Sequence, residues 1–299
     1  MVSALLSIAP STIIAPPSAL ASPRARVYSR AYKPGEAMLI VVTGEGVGRP
    51  PSGAWAGSTL PFYACSPGTY VALAGIDLEA STGTVRLDLR LLDHRGRETP
   101  WKQEYRIRPK KFAMRTLEVA PEYVNPRPEL EARAERETQR IASAYAKVTP
   151  APIMAGSFLM PIKGAKTTSR FGERSVFNGE PRSPHSGADI KASTGTPVLA
   201  PQAGRVVLAD DLFFPGRTVL LDHGLGVYSL FAHLSEIKVR EGSAVGQGDV
   251  VGLAGATGRV TGPHLHWAVR VLGARVDPES VMALPLGRWL GRCQNLTTR

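Results

Sequence analysis

Cysteine is nearly absent: Cys65 and Cys293 are the only two in 299 residues, and no Cys and His finger spacing occurs. Their distance in sequence gives no reason to pair them, so two unrelated thiols are expected. No HExxH is present, which excludes the helical arrangement in which two histidines one turn apart share an ion. No apolar run is long enough to span a bilayer, so no transmembrane segment is expected. Charged side chains are missing altogether from residues 1–23, where "ALASP" carries a small-x-small pattern, Ala19 to Ala21, suited to signal peptidase. Pro10, Pro16 and Pro17 interrupt that stretch and no basic residue precedes it. It is read as a truncated or weak export signal, which makes the expected location periplasmic, cell-envelope or extracellular.

Positive charge, in contrast, is in excess, with a formal net charge of +11. The excess is concentrated outside the region that holds most of the histidines: residues 1–156 carry 20 Lys and Arg against 14 Asp and Glu, and residues 157–282 carry 13 against 11. The densest patch is "RIRPKKFAMR", residues 106–115, read as a solvated basic strand and loop with the capacity to hold an anionic polymer. No helix-turn-helix or basic-aromatic RNA signature accompanies it, so nucleic acid is not the expected partner. Thirty Gly and 25 Pro with few periodic helical stretches point to a mostly β protein, and the length favours about two domains.

Residues 24–122 read as a small β-sandwich, with strands at "AMLIVVTG", "YVALAGIDL", "TVRLDLRLLDHRG" and "QEYRIRP" separated by turn residues. His94, in "DHRG", is taken as a turn residue. Residues 123–156 form a helix and linker: "NPRPELEARAERETQRIASAYA" has Asn125 as the expected cap and alternates Glu and Arg at spacings that permit i, i+4 pairs. From 157 to 282 short strands joined by Gly-containing turns imply an antiparallel sheet, and residues 283–299 are a basic tail.

Five of the six histidines lie between residues 185 and 266. In "TGPHLHWAVR", His264 and His266 are spaced i, i+2, so on a strand they share a face. In "HSGAD", His185 and Asp189 would be too far apart on an extended chain, and Gly187 is expected to allow the tight turn that brings both to one ion. A nitrogen from His266 then completes three protein ligands, leaving a fourth position open, as a catalytic zinc requires.

These segments in order, "SRFGER", "PHSGADIKASTGTPVLAPQAGRV", "LLDHGLGVYSLFAHLS", "VREGSAVGQGDVVGLAGATGRVTGPHLHWAVR" and "VDP", resemble the lysostaphin-type (LytM-like) zinc metalloendopeptidases that act on peptidoglycan. The resemblance covers residues 168–278. It implies His185, Asp189 and His266 as zinc ligands and His233 and His264 as the two catalytic histidines; His264 is assigned as general base and His233 as oxyanion stabiliser, a division the sequence does not fix. His223, in "LDHG", is expected to be structural. Arg174, Asn178 and Arg182, on the "FGERSVFNGEPRSPH" loop, and Trp267 are candidate substrate contacts. Ser229 and Phe231 stand where the family often has Thr and Tyr, removing a phenol. The first half resembles, more weakly, the β-sandwich domain that precedes such catalytic domains in exported wall peptidases.

The implied function is zinc-dependent hydrolysis of peptide cross-links or stem peptides in bacterial peptidoglycan. The alternative is a zinc-free, degenerate regulator of other wall hydrolases. A biotinyl or lipoyl carrier is disfavoured because no Lys follows Lys238. Oligomeric state has no sequence signal.

Overall fold

A computed structural model describes residues 23–44, 49–92, 96–117, 127–167, 171–177, 179–181, 183–291 and 293. The export-signal stretch up to residue 22, His94, Asn125, Asn178, Arg182 and residues 294–299 lie outside the described residues.

The segment "AMLIVV" is apolar at every position, a pattern that half-buried strands do not show and that strands buried on both faces do. In the fold, Ala37–Thr43 is buried on both faces. It is an inner strand of a four-stranded sheet ordered Arg24–Tyr28, Ala37–Thr43, Thr69–Gly75, Tyr63–Ser66. Met38, Ile40 and Val42 pack towards Trp55, Leu87, Leu89 and Leu91 of a second four-stranded sheet, closing a β-sandwich. Ala37, Leu39 and Val41 face the other way and belong to the same core as Val269, Val271 and Val276 of the second half. The sandwich therefore has a core of its own on one side of this strand and shares a core with the second half on the other.

Covalent and ionic links cross the same boundary. Cys65 and Cys293 form a disulfide, which corrects the expectation of two unrelated thiols. Chain separation of 228 residues carries no information about distance in the fold, and both cysteines are buried against the shared core. Arg30 bridges Glu36 at 3.0 Å and Asp277 at 2.8 Å, and Arg275 bridges Asp77 at 2.6 Å and Glu79 at 2.8 Å.

The second half is a nine-stranded antiparallel sheet whose main path runs Ala188–Lys191, His264–Val271, Val227–Ile237, Gly216–Asp222, Gly204–Leu212, Ala244–Val245. The tight turn from His264–Val271 into Ala274–Val276 uses Leu272 and Gly273, both at positive φ, the requirement of the two-residue hairpin that follows the strand twist. The helix Pro128–Tyr145 begins with Pro at its first turn, where the missing N–H is not needed, and is preceded by an extended Arg127 with no side-chain cap. The expected Asn125 cap is thus two residues too early. Arg133 pairs with Glu137 in the expected i, i+4 manner, while Arg140 reaches across to Asp210 and Glu241 and fixes the helix against the sheet. Tyr145, at its last turn, meets Tyr228 edge to face at 5.5 Å.

One pairing has no counterpart in the sequence reading. Met114–Leu117, the end of the basic patch, runs parallel to Arg174–Phe177, with Arg115 beside Ser175. This pairing places the first half of the chain against the loop that leads to His185.

Candidate active site

The alternation of His264–Val271 sorts its residues between two environments. Leu265, Trp267, Val269 and Val271 are fully buried in the shared core, and His264 and His266 point to the opposite face, into a groove of about 840 Å³. Asp189 pairs with His266 across the neighbouring strand and is likewise turned to the groove. His185 lies just before that strand, with its N–H donating to Glu173 O at 2.9 Å and its carbonyl accepting from Gly172 N–H at 2.7 Å. The loop that begins at Phe171 is thereby tied to His185 at both backbone groups.

The three side chains converge. His185 Nε2 and His266 Nδ1 lie 3.0 and 3.1 Å from Asp189 Oδ1 and 2.9 Å from each other. Burial favours the neutral carboxyl of Asp189, but the hydrogen bonds and charges of His185 and His266 outweigh it and hold the group well below the usual carboxylate range. Burial pushes His266 down, against the pull of Asp189. An ionised carboxylate with two imidazole nitrogens, all within 4.8 Å of one another, could hold a metal ion. Such a donor set suits zinc, whose bonds to nitrogen and oxygen of about 2.0–2.2 Å place tetrahedral ligand atoms a little over 3 Å apart.

The chain bends at Gly187, between His185 and Asp189, and the glycine serves a second purpose there. Its φ is not in the left-handed region; instead a Cβ there would meet the His266 ring at 2.8 Å and Trp267 O at 2.6 Å. The glycine makes room for the histidine.

Two further histidines complete the cluster. The His264 ring lies 4.9 Å from that of His233, and His264 Nε2 is 3.7 Å from Asp189 Oδ1. His233 takes φ +63°, rare for a residue with a side chain, and its N–H donates to Pro215 O at 2.9 Å. On a regular strand it would face away from Ala232; the irregular register beyond residue 231 lets Leu230, Ala232 and His233 all reach the groove. His233 Nδ1 meets Thr257 O at 2.9 Å and His264 Nδ1 meets Gly262 O at 2.8 Å. Since a carbonyl only accepts, each Nδ1 carries the proton, and each Nε2 presents a lone pair when the ring is neutral. Burial, with the neighbouring His266, pushes His233 down to about 3.

Sequence reasoning missed Thr257. Its carbonyl fixes the His233 tautomer, its hydroxyl donates to Leu234 O at 2.8 Å, and the same oxygen accepts from Arg217 N–H at 2.9 Å. A threonine in a Gly-rich turn carries no signal of that role.

The remaining candidates divide. Trp267 is fully buried in the core and does not line the groove, because strand alternation sends it away from His266. Arg174 is exposed but absent from the groove wall, where its neighbours Glu173 and Ser175 stand. Asn178 and Arg182 fall outside the described residues. Phe231 is fully buried, so a phenol at that position would sit in the core rather than against a substrate. His223 is structural, as expected: it is fully buried, with Nδ1–H donating to Ala203 O and Nε2 accepting from Ser229 Oγ.

Residues 183–278 match the profile of peptidase family M23. A solved peptidase M23 from Pseudomonas aeruginosa superposes with a TM-score of 0.62 at 32% identity, covering 84% of this chain and 95% of that one. The chain belongs to peptidase family M23. Among curated relatives, the DD-carboxypeptidase/endopeptidase Mpg of Neisseria meningitidis serogroup B is 45% identical over 101 residues, 34% of this chain and 23% of Mpg. The peptidoglycan DD-endopeptidase ShyA of Vibrio cholerae is 42% identical over 94 residues, 31% of this chain and 22% of ShyA. The match thus spans less than a quarter of either relative.

Proposed function

We propose that this M23 chain is an exported zinc endopeptidase that hydrolyses peptide cross-links or stem peptides of bacterial peptidoglycan. The observation that carries the reading is the convergence of His185, Asp189 and His266 on one point, with His233 and His264 beside it in an open groove. His185, Asp189 and His266 would hold the zinc, which when bound polarises a scissile carbonyl and lowers the pKa of water. His264, fixed by Gly262 O, offers Nε2 to take the proton of the attacking water. His233, fixed by Thr257 O and held neutral by burial, gains an Nε2–H only by taking up a proton as the water attacks, and that N–H would then serve the developing oxyanion. The groove walls, from Ser183 to Ser186 on one side and Phe214, Pro215 and Arg259 to Pro263 on the other, suit an extended peptide.

Export is supported by the Cys65–Cys293 disulfide, since such bonds persist in oxidising compartments. No helix among the described residues is long and apolar enough to cross a membrane. The metal analysis that tests the proposal compares the purified chain with its His266→Ala variant after dialysis. About one zinc per wild-type chain and none in the variant is expected. A folded, metal-free wild type that stimulates a second wall hydrolase would replace the enzyme reading with the regulator.

A further inference from the structure

The groove wall is not built by the second half alone. Arg115, from the end of the sandwich region, and Ile141, from the connecting helix, both line it. Arg115 is placed there by the parallel pairing of Met114–Leu117 with Arg174–Phe177, which sets it beside Ser175. Two residues before Ser175 is Glu173, whose carbonyl accepts the N–H of His185. Strand spacing then puts the Arg115 Cα roughly 8 Å from that of Glu173, at the edge of the metal ligands. Lys191 follows Asp189 by two positions on the same strand, so it shares its face, and it also lines the groove. Among the described residues, neither Arg115 nor Lys191 has an ion-pair partner. Among the described residues of the wall there is, besides the ligand Asp189, one carboxylate, Glu173, against the cations Arg115, Lys191 and Arg259; Glu173 and Arg259 have partners of their own, which leaves Arg115 and Lys191.

We infer that the groove selects an acidic peptide, and that Arg115, supplied by the first half of the chain, is a specificity residue that binds a carboxylate of the substrate. A guanidinium can engage a carboxylate through two parallel hydrogen bonds, which gives it orientation as well as charge. Lys191 adds a point charge on the strand that carries Asp189. The first half of the chain thereby takes part in substrate choice instead of serving only as a spacer. This inference rests on the endopeptidase reading of the same site.

The test uses two synthetic cross-linked stem peptides that differ only in whether their side-chain and terminal carboxyls are free or amidated. Cleavage is measured with the full-length zinc-loaded chain and with Arg115→Ala and Arg115→Lys. Equilibrium binding of the same peptides is measured to His264→Ala, alone and combined with Arg115→Ala. The wild type is expected to favour the free-acid peptide by about tenfold in kcat/KM, mainly through KM. Arg115→Ala should bring the ratio near unity with zinc content and melting temperature unchanged, and Arg115→Lys should keep part of it. The binding arm should show the same loss. Cleavage of both peptides at equal rates, or an unchanged ratio in Arg115→Ala, overturns the inference while leaving the endopeptidase reading intact. Cleavage of neither peptide overturns that reading, and the binding ratio then still decides whether Arg115 recognises the carboxylate.

Discussion

Replacing Gly187 by alanine probes the metal site without replacing a ligand. The added Cβ would stand 2.8 Å from Cε1 and Nε2 of His266 and 2.6 Å from Trp267 O, where ordinary contact begins at 3.4 Å. The ring must therefore retreat by about 0.6 Å or the strand must part from its neighbour. Trp267 is fully buried and its strand is paired on both sides, so relief of the Trp267 O contact needs a costly shift of that backbone, and the His266 ring on the same strand is displaced as well. Overpacking of this kind costs about 1–3 kcal/mol, and disturbing the setting of a metal ligand costs about 10–100-fold in affinity. Gly187→Ala is expected to weaken zinc binding by that factor in competition with a calibrated chelator. Its melting temperature with the metal removed should fall by only a few degrees. Wild-type zinc affinity in the variant would refute the reasoning, because it would mean that His266 does not need its present ring position.

His223 is expected to make the fold acid-sensitive: burial lowers its pKa to about 4, so the unfolded chain binds more protons between pH 6.5 and 4. Its contribution is complete above pH 6.5 and is lost as pH falls to 4, about 3 kcal/mol in all; urea titrations should show His223→Asn less stable at neutral pH and with a flatter acid slope. Cys65→Ser should cost about 2–5 kcal/mol in unfolding free energy. A reductant should lower the wild-type melting temperature equally and leave the variant unchanged. His264→Ala should reduce peptide cleavage by about 10²–10⁴-fold while retaining zinc, measured as turnover and metal content on the same preparation.

The parts of the fold and site legible in the sequence are those set by local pattern. Alternation and Gly-rich turns identified antiparallel sheets, and the i, i+2 spacing put His264 and His266 on one face. Alternation applied one residue further would also have removed Trp267 from the groove, since the next position must face the core. What was not legible depends on pairings distant in sequence. The disulfide, the parallel strand that brings Arg115 to Ser175, and the carbonyl of Thr257 behind His233 each join segments whose composition says nothing of their meeting. Gly187 shows a subtler limit: the bend it allows was readable, but the second demand on it was not, because the space it leaves belongs to a side chain on another strand.

The central claim is zinc-dependent cleavage of wall cross-links, and the most direct measurement is mass spectrometry of the peptides released from purified sacculi. With the zinc-loaded chain, cross-linked fragments should decline and fragments with new peptide termini should accumulate. Both changes should disappear on chelation and return when zinc is restored. Sacculi left with their cross-links intact by a chain that holds one zinc would contradict the account.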